Sequence, residues 1–130
     1  MSSSRSVIVI DDEMELASLF KSFLEKEGYQ AVSFVDPLIA LDFFKETSNR
    51  HSLVITDLRM PGICGIDLAI KMREINKDVR IFLMTAFETK DLRDQDNFKQ
   101  AKFDRLIQKP VRFADLRKMI NELWSSENKE

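Results

Sequence analysis

Short apolar runs alternate with amphipathic stretches along the whole chain, and the alternation reads as strand then helix, five times over. Residues 7–10 (VIVI) are continuously apolar, as expected of a strand covered on both faces. Residues 13–27 follow, with Leu16, Leu19, Phe20, Phe23 and Leu24 assigned to one helical face and Gly28 as the stop. Residues 29–35 read as a second strand. Asp36 and Pro37 supply an N-cap and a first-turn proline for a helix running to about Glu46. Residues 52–56 are a third strand. The segment RMPGICG (59–65) is a loop by its proline and two glycines. A helix over 66–76 carries Ile66, Ala69, Ile70 and Met72, and residues 80–84 form a fourth strand. Residues 88–102 are so rich in charge that only a weak helix is expected, with a solvated face. Residues 105–108 form a short fifth strand. The last helix, over about 112–124, sets Phe113, Leu116, Ile120 and Leu123 on one face, and residues 125–130 read as a frayed polar tail.

Such alternation argues for an α/β fold, a parallel sheet with helices on both faces and right-handed crossovers. At 130 residues the chain fits one domain, with its core over about 6–124. A chain of this length buries roughly two-thirds of the surface that its unfolded form exposes, so neither disulfides nor a structural metal is needed. Its single cysteine, Cys64, permits no internal disulfide and fits a reducing compartment. A net charge of −2 gives no electrostatic reason to expect nucleic acid or anionic membrane as the main partner. MSSSRS leads directly into VIVI without the pattern of a secretory signal, and no apolar run approaches a membrane span. A cytoplasmic location is the expectation.

The reactive residues fall at one kind of place. Asp11 and Asp12 follow the first strand, Asp57 the third, Thr85 the fourth and Lys109 the fifth. In open parallel sheets, ligands bind outside the carboxyl ends of the strands, where strand order reverses. With the order 2-1-3-4-5, all five side chains would line one cleft. Three carboxylates held together repel, and a divalent cation relieves that repulsion; oxygen ligands with room for phosphate suit Mg²⁺. Lys109 offers a compact positive charge and Thr85 a hydroxyl. One carboxylate could attack phosphorus, a reaction that chiefly demands positioning and charge neutralisation.

Each residue alone has a plainer reading. An Asp pair after a strand usually caps a helix, Asp57 could begin a turn, Thr85 could be a satisfied strand-end hydroxyl, and Lys109 a solvated charge. Their conjunction at four strand ends outweighs those readings. His51, the only histidine, lies in a polar loop, where no metal or catalytic role is expected. Cys64 follows Asp57 in a loop, and placement alone does not make a thiol reactive.

The segments VIVIDDE, VITDLRMPGICG, FLMTA and QKP, in that order and across nearly the whole chain, resemble the receiver domains of response regulators in two-component systems. The resemblance implies a flavodoxin-like five-stranded sheet. Carried over residue by residue, it implies Asp57 as phosphoacceptor, Asp12 as a direct Mg²⁺ ligand and Asp11 as a helper acting through water. The backbone carbonyl of Arg59 would complete the metal ligands, with Thr85 and Lys109 on the phosphoryl oxygens. It further implies a phosphohistidine donor on a sensor histidine kinase or phosphotransfer protein, and an unidentified downstream protein target. Such a domain catalyses only its own phosphorylation and dephosphorylation. The family often has a cis bond where Lys109–Pro110 stands.

Two positions depart from the family. Receivers usually carry Tyr or Phe three residues before the Lys-Pro pair, where this chain has Leu106, and Gly-Ala before the fifth strand, where it has Lys102-Phe103. Leu106 implies weaker coupling from the cleft to the fourth-helix and fifth-strand face, with the response concentrated in residues 86–102. Two alternatives remain open. One is a receiver-like interaction module that acts without phosphorylation. The other is a Mg²⁺-dependent phosphohydrolase with an aspartate nucleophile, but such enzymes place a second Asp where this chain has Arg59.

Overall fold

The computed structural model describes residues 5–86, 92–93 and 97–127. Five parallel strands, β1 (Ser6–Ile10), β2 (Gln30–Phe34), β3 (Leu53–Asp57), β4 (Arg80–Thr85) and β5 (Arg105–Gln108), form one sheet in the order β2-β1-β3-β4-β5. The helices are α1 (Met14–Lys26), α2 (Pro37–Thr47), α3 (Gly65–Ile75), the short α4 (Phe98–Ala101) and α5 (Phe113–Glu127). A single 3₁₀ turn, Ser48–Arg50, follows α2.

Strand alternation divides the core in two. Val7, Val9, Leu53, Ile55, Phe82, Met84 and Ile107 pack with Phe20, Leu24, Leu116 and Ile120 of α1 and α5. Ile8, Ile10, Val54, Ile81 and Leu83 pack with α2 and α3 through Ala40, Phe44, Leu68, Ala69 and Met72. Both faces of β1, β3 and β4 are buried, which is why residues 7–10, 53–55 and 81–84 run apolar without alternation.

Local chemistry sets the ends. Asp36 Oδ1 accepts from the Leu38 amide at 2.9 Å, and Pro37 opens α2. Gly28, at φ +98°, closes α1 in a conformation that side chains disfavour. Leu19 is a correction: it is 53% exposed, and Ala17 takes a core place beside Phe20 and Leu24. Leu19 lies about 100° round the helix from Phe20 and about 160° from Ala17, so it falls at the outer edge of the buried stripe. On α3, Leu68 is fully buried while Ile70 is only partly so. The final helix continues to Glu127, through part of the expected tail, since neither Gly nor Pro interrupts it. Of the charged segment 88–102, residues 88–91 and 94–96 lie outside the described residues; Leu92 and Ala101 within it are buried.

His51 joins β1 to α2. Thr47 Oγ1 donates to the Phe43 carbonyl at 2.7 Å, so its oxygen accepts from His51 Nε2 at 2.8 Å. Nε2 therefore carries the hydrogen, and Nδ1 accepts from Ser6 Oγ at 2.9 Å. Burial, aided by Arg50, holds the pKa below its ordinary value of 6.5. The unfolded chain thus binds more protons than the folded one between the depressed pKa and 6.5. His51 contributes full stability above that window and loses it as pH falls through it. Urea midpoints at about pH 7.5 and about pH 5.5 should show the loss, and His51→Gln should flatten it. Identical pH slopes in both chains would refute this assignment.

Candidate phosphoryl-transfer site

The alternation that builds the α1–α5 face of the core also builds the site. Asp11, Asp57 and Lys109 continue the positions of Val9, Ile55 and Ile107, each two residues further on. They emerge at the carboxyl ends of β1, β3 and β5, with β4 between the last two, so residues up to 98 apart in sequence meet. Lys109 Nζ lies 3.2 Å from Asp11 Oδ2 and 3.1 Å from Asp57 Oδ2. Asp11 is fully buried, Asp57 is 8% exposed, and the lysine side chain is 18% exposed. Asp12 is exposed, yet one oxygen from each of Asp11, Asp12 and Asp57 lies within 4.8 Å of the others.

Both carboxylates are held from a second side. Asp11 Oδ1 accepts from the Glu13 amide at 2.9 Å, which starts α1. Asp57 Oδ1 accepts from the Leu58 amide at 2.9 Å, and the same amide lies 2.9 Å from the Met84 carbonyl. This leaves Oδ2 of each acid on the lysine. An ion pair alone would lower an aspartate pKa. That of Asp57 is instead raised, because burial, with repulsion from Asp11, outweighs Lys109 and the Leu58 amide. The Lys109 pKa is also raised: burial opposes its charge, but attraction to Asp11 and its contacts with Asp57 prevail. Among the described residues, three carboxylates thus share the one ammonium that touches the cluster.

Thr85 is buried at the end of β4, and its carbonyl accepts from the Lys109 amide at 2.8 Å, which ties the β5–α5 turn to β4. The Lys109–Pro110 bond is cis. Arg59 is exposed at the start of the loop that joins Asp57 to α3. Cys64 is half-buried at the N-cap of α3. Leu106, paired with Leu83 on the opposite face from Lys109, packs against the α2–α3 core. Phe103 packs on Phe98 with ring centroids 5.5 Å apart; Phe87 lies outside the described residues. The site residues named from the sequence thus all stand at the carboxyl edge of the sheet, with three in direct contact. Sequence reasoning missed the Leu58 amide, since a backbone donor has no signature in a sequence.

The response regulator receiver domain family profile matches residues 7–121. Sporulation initiation phosphotransferase F of Bacillus subtilis is 32% identical over 89 residues, 68% of this chain and 70% of the relative. Response regulator receiver protein CpdR of Brucella abortus is 30% identical over 120 residues, 92% of this chain and 93% of the relative. Response regulator protein TrrA of Thermotoga maritima, solved in complex with Mg²⁺–BeF, superposes with a TM-score of 0.77 at 32% identity, covering 92% of this chain and 98% of that one. Family profile, relatives and fold agree: this chain belongs to the response regulator receiver domains of two-component systems.

Proposed function

We propose that the chain takes a phosphoryl group on Asp57 from a phosphohistidine, with Mg²⁺, and that this changes its affinity for a protein partner. The observation that carries the reading is the cluster of three carboxylates served by one ammonium, 3.1 Å from Asp57 Oδ2. The donor set fits the metal: oxygen atoms only, on two successive residues and a third strand end, with one exposed side for phosphate and water. Asp11, Asp12 and Asp57 would hold it, with the Arg59 carbonyl. Bound there, Mg²⁺ would neutralise charge on the phosphoryl oxygens.

The chain's own residues do the rest. The Leu58 amide fixes Asp57 Oδ1, so the carboxylate meets phosphorus in one orientation. A carboxylate oxygen bonds to phosphorus as the bond from phosphorus to the donor imidazole breaks, and that nitrogen keeps the electron pair. Lys109 is close enough to exchange its contact with Asp57 for one with a phosphoryl oxygen. Thr85, beside it, supplies a hydroxyl. Catalysis would be confined to the chain's own phosphorylation and dephosphorylation. The donor would be a sensor histidine kinase or a phosphotransfer protein. A donor charged by ATP would place the reaction in the cytoplasm. Among the described residues no helix is long and apolar enough to cross a membrane.

Intact-protein mass after incubation with acetyl phosphate and Mg²⁺ tests the proposal. The native chain should gain one phosphoryl group and Asp57→Asn none; an equal, stable gain in both would sink it. Turnover of a generic phosphoester would favour a phosphohydrolase instead.

A further inference from the structure

We infer that Gly65 is a positioning residue for Asp57, an inference that rests on the phosphoacceptor reading above. Gly65 is the first residue of α3, and its φ lies outside the left-handed region, so its backbone demands no glycine. Alanine would be the better helix former there by about 1 kcal/mol. What demands glycine is space. A Cβ at residue 65 would overlap the backbone carbonyl oxygen of Asp57 and stand 3.1 Å from its carbonyl carbon and 2.9 Å from Leu83 Cδ1. The overlapped atom is backbone and cannot rotate aside.

The close approach reaches the carboxylate by two further contacts. The Gly65 amide donates to the Leu58 carbonyl at 2.7 Å, which closes the loop between β3 and α3. The Leu58 amide, on the same residue, donates to Asp57 Oδ1 at 2.9 Å. A side chain at residue 65 must lift the first turn of α3 from the end of β3, pull on the Leu58 peptide and release Oδ1. The nucleophile would then be intact in identity and wrong in orientation, and a misplacement of about 1 Å at a reacting group costs about 100-fold in rate.

Gly28 is the control: its φ of +98° strains any side chain, but a Cβ there meets nothing within 4 Å. Phosphorylation by acetyl phosphate with Mg²⁺ would be followed in the native chain, Gly65→Ala and Gly28→Ala at a temperature where each is folded. Gly65→Ala should lower the maximal rate about 100-fold, leave the half-saturating donor concentration within about 2-fold, and shift the Leu58 amide resonance. Gly28→Ala should stay within about 2-fold of the native rate. A folded Gly65→Ala chain with native maximal rate overturns the inference. If Gly65→Ala does not fold in buffer, the three chains would be compared in trimethylamine N-oxide, which favours the folded state. There Gly65→Ala should fold and remain slow; a fast chain, or one still unfolded, assigns the glycine to the fold and overturns the positioning role. Failure of the native chain to gain mass at Asp57 would instead remove the phosphoacceptor reading itself.

Discussion

Arg73→Ala is expected to lower the free energy of unfolding by about 2–3 kcal/mol, because backbone carbonyls lose a charged donor while Asp104 keeps its contact with Arg80. Arg73 leaves α3 with its side chain only 13% exposed. Nε donates to the Ala101 carbonyl at 3.0 Å, and Nη2 to the Lys102 carbonyl at 2.6 Å and to Asp104 Oδ2 at 3.3 Å. Nη1 donates to the Lys77 carbonyl at 3.2 Å and to that of Val79. One guanidinium thus ties α3 to the start of β4 and to the segment between α4 and β5. Asp104 completes the joint, because Oδ2 also accepts from the Ile81 amide at 2.7 Å. Lysine should rescue little, since a single ammonium cannot span carbonyls on several sides. Urea unfolding measures the loss, and a cost below about 1 kcal/mol would show that water replaces the guanidinium without penalty. Because Arg73 and Asp104 share one network, Arg73→Ala and Asp104→Ala should together cost less than the sum of their separate effects.

That joint explains a departure that the sequence displays without its reason. Lys102 stands where receivers tend to have glycine, and it adopts φ 52°, a conformation costing a side chain about 1–2 kcal/mol. Arg73 on its carbonyl offsets part of that cost. The strands were legible because apolar runs are local, whereas their order came with the family resemblance, since the crossover rule only narrows the topologies. The acid cluster was legible because strand ends are countable: Asp11, Asp57 and Lys109 keep step with Val9, Ile55 and Ile107. Arg73 was not legible, as one cation among 20 Lys and Arg residues, with three of its partners 28 to 31 residues away, where only tertiary packing selects them. Gly65 reads as a loop glycine, since a sequence does not distinguish space from flexibility. Leu19 misleads because it fits the ordinary apolar spacing of a core-facing helix, whereas the stripe that α1 buries turns toward Ala17, Phe20 and Leu24.

Lys109→Ala should separate metal binding from phosphoryl transfer. Removing the ammonium leaves buried Asp11 and Asp57 without the contacts at 3.2 and 3.1 Å, and the cluster more negative by one charge. A divalent cation is drawn to that charge more strongly, and it no longer shares the oxygens with a lysine. Mg²⁺ affinity measured by calorimetry should therefore hold or rise. The raised pKa of Asp57 should rise further, since Lys109 does more than the Leu58 amide to oppose the effect of burial. Phosphorylation should move the other way. A preorganised positive group aimed at developing phosphoryl charge contributes about 10²–10³ in rate, and a methyl group in its place offers none. Arginine should not restore it, because a planar fork does not fit between two carboxylates that a point charge bridges. The outcome to look for is a chain that binds Mg²⁺ at least as well as the native one yet gains mass from acetyl phosphate about 100-fold more slowly. Loss of both properties together would mean that Lys109 holds the acids in place rather than serving the phosphoryl group. Retention of both would place the charge-neutralising group elsewhere in the cleft.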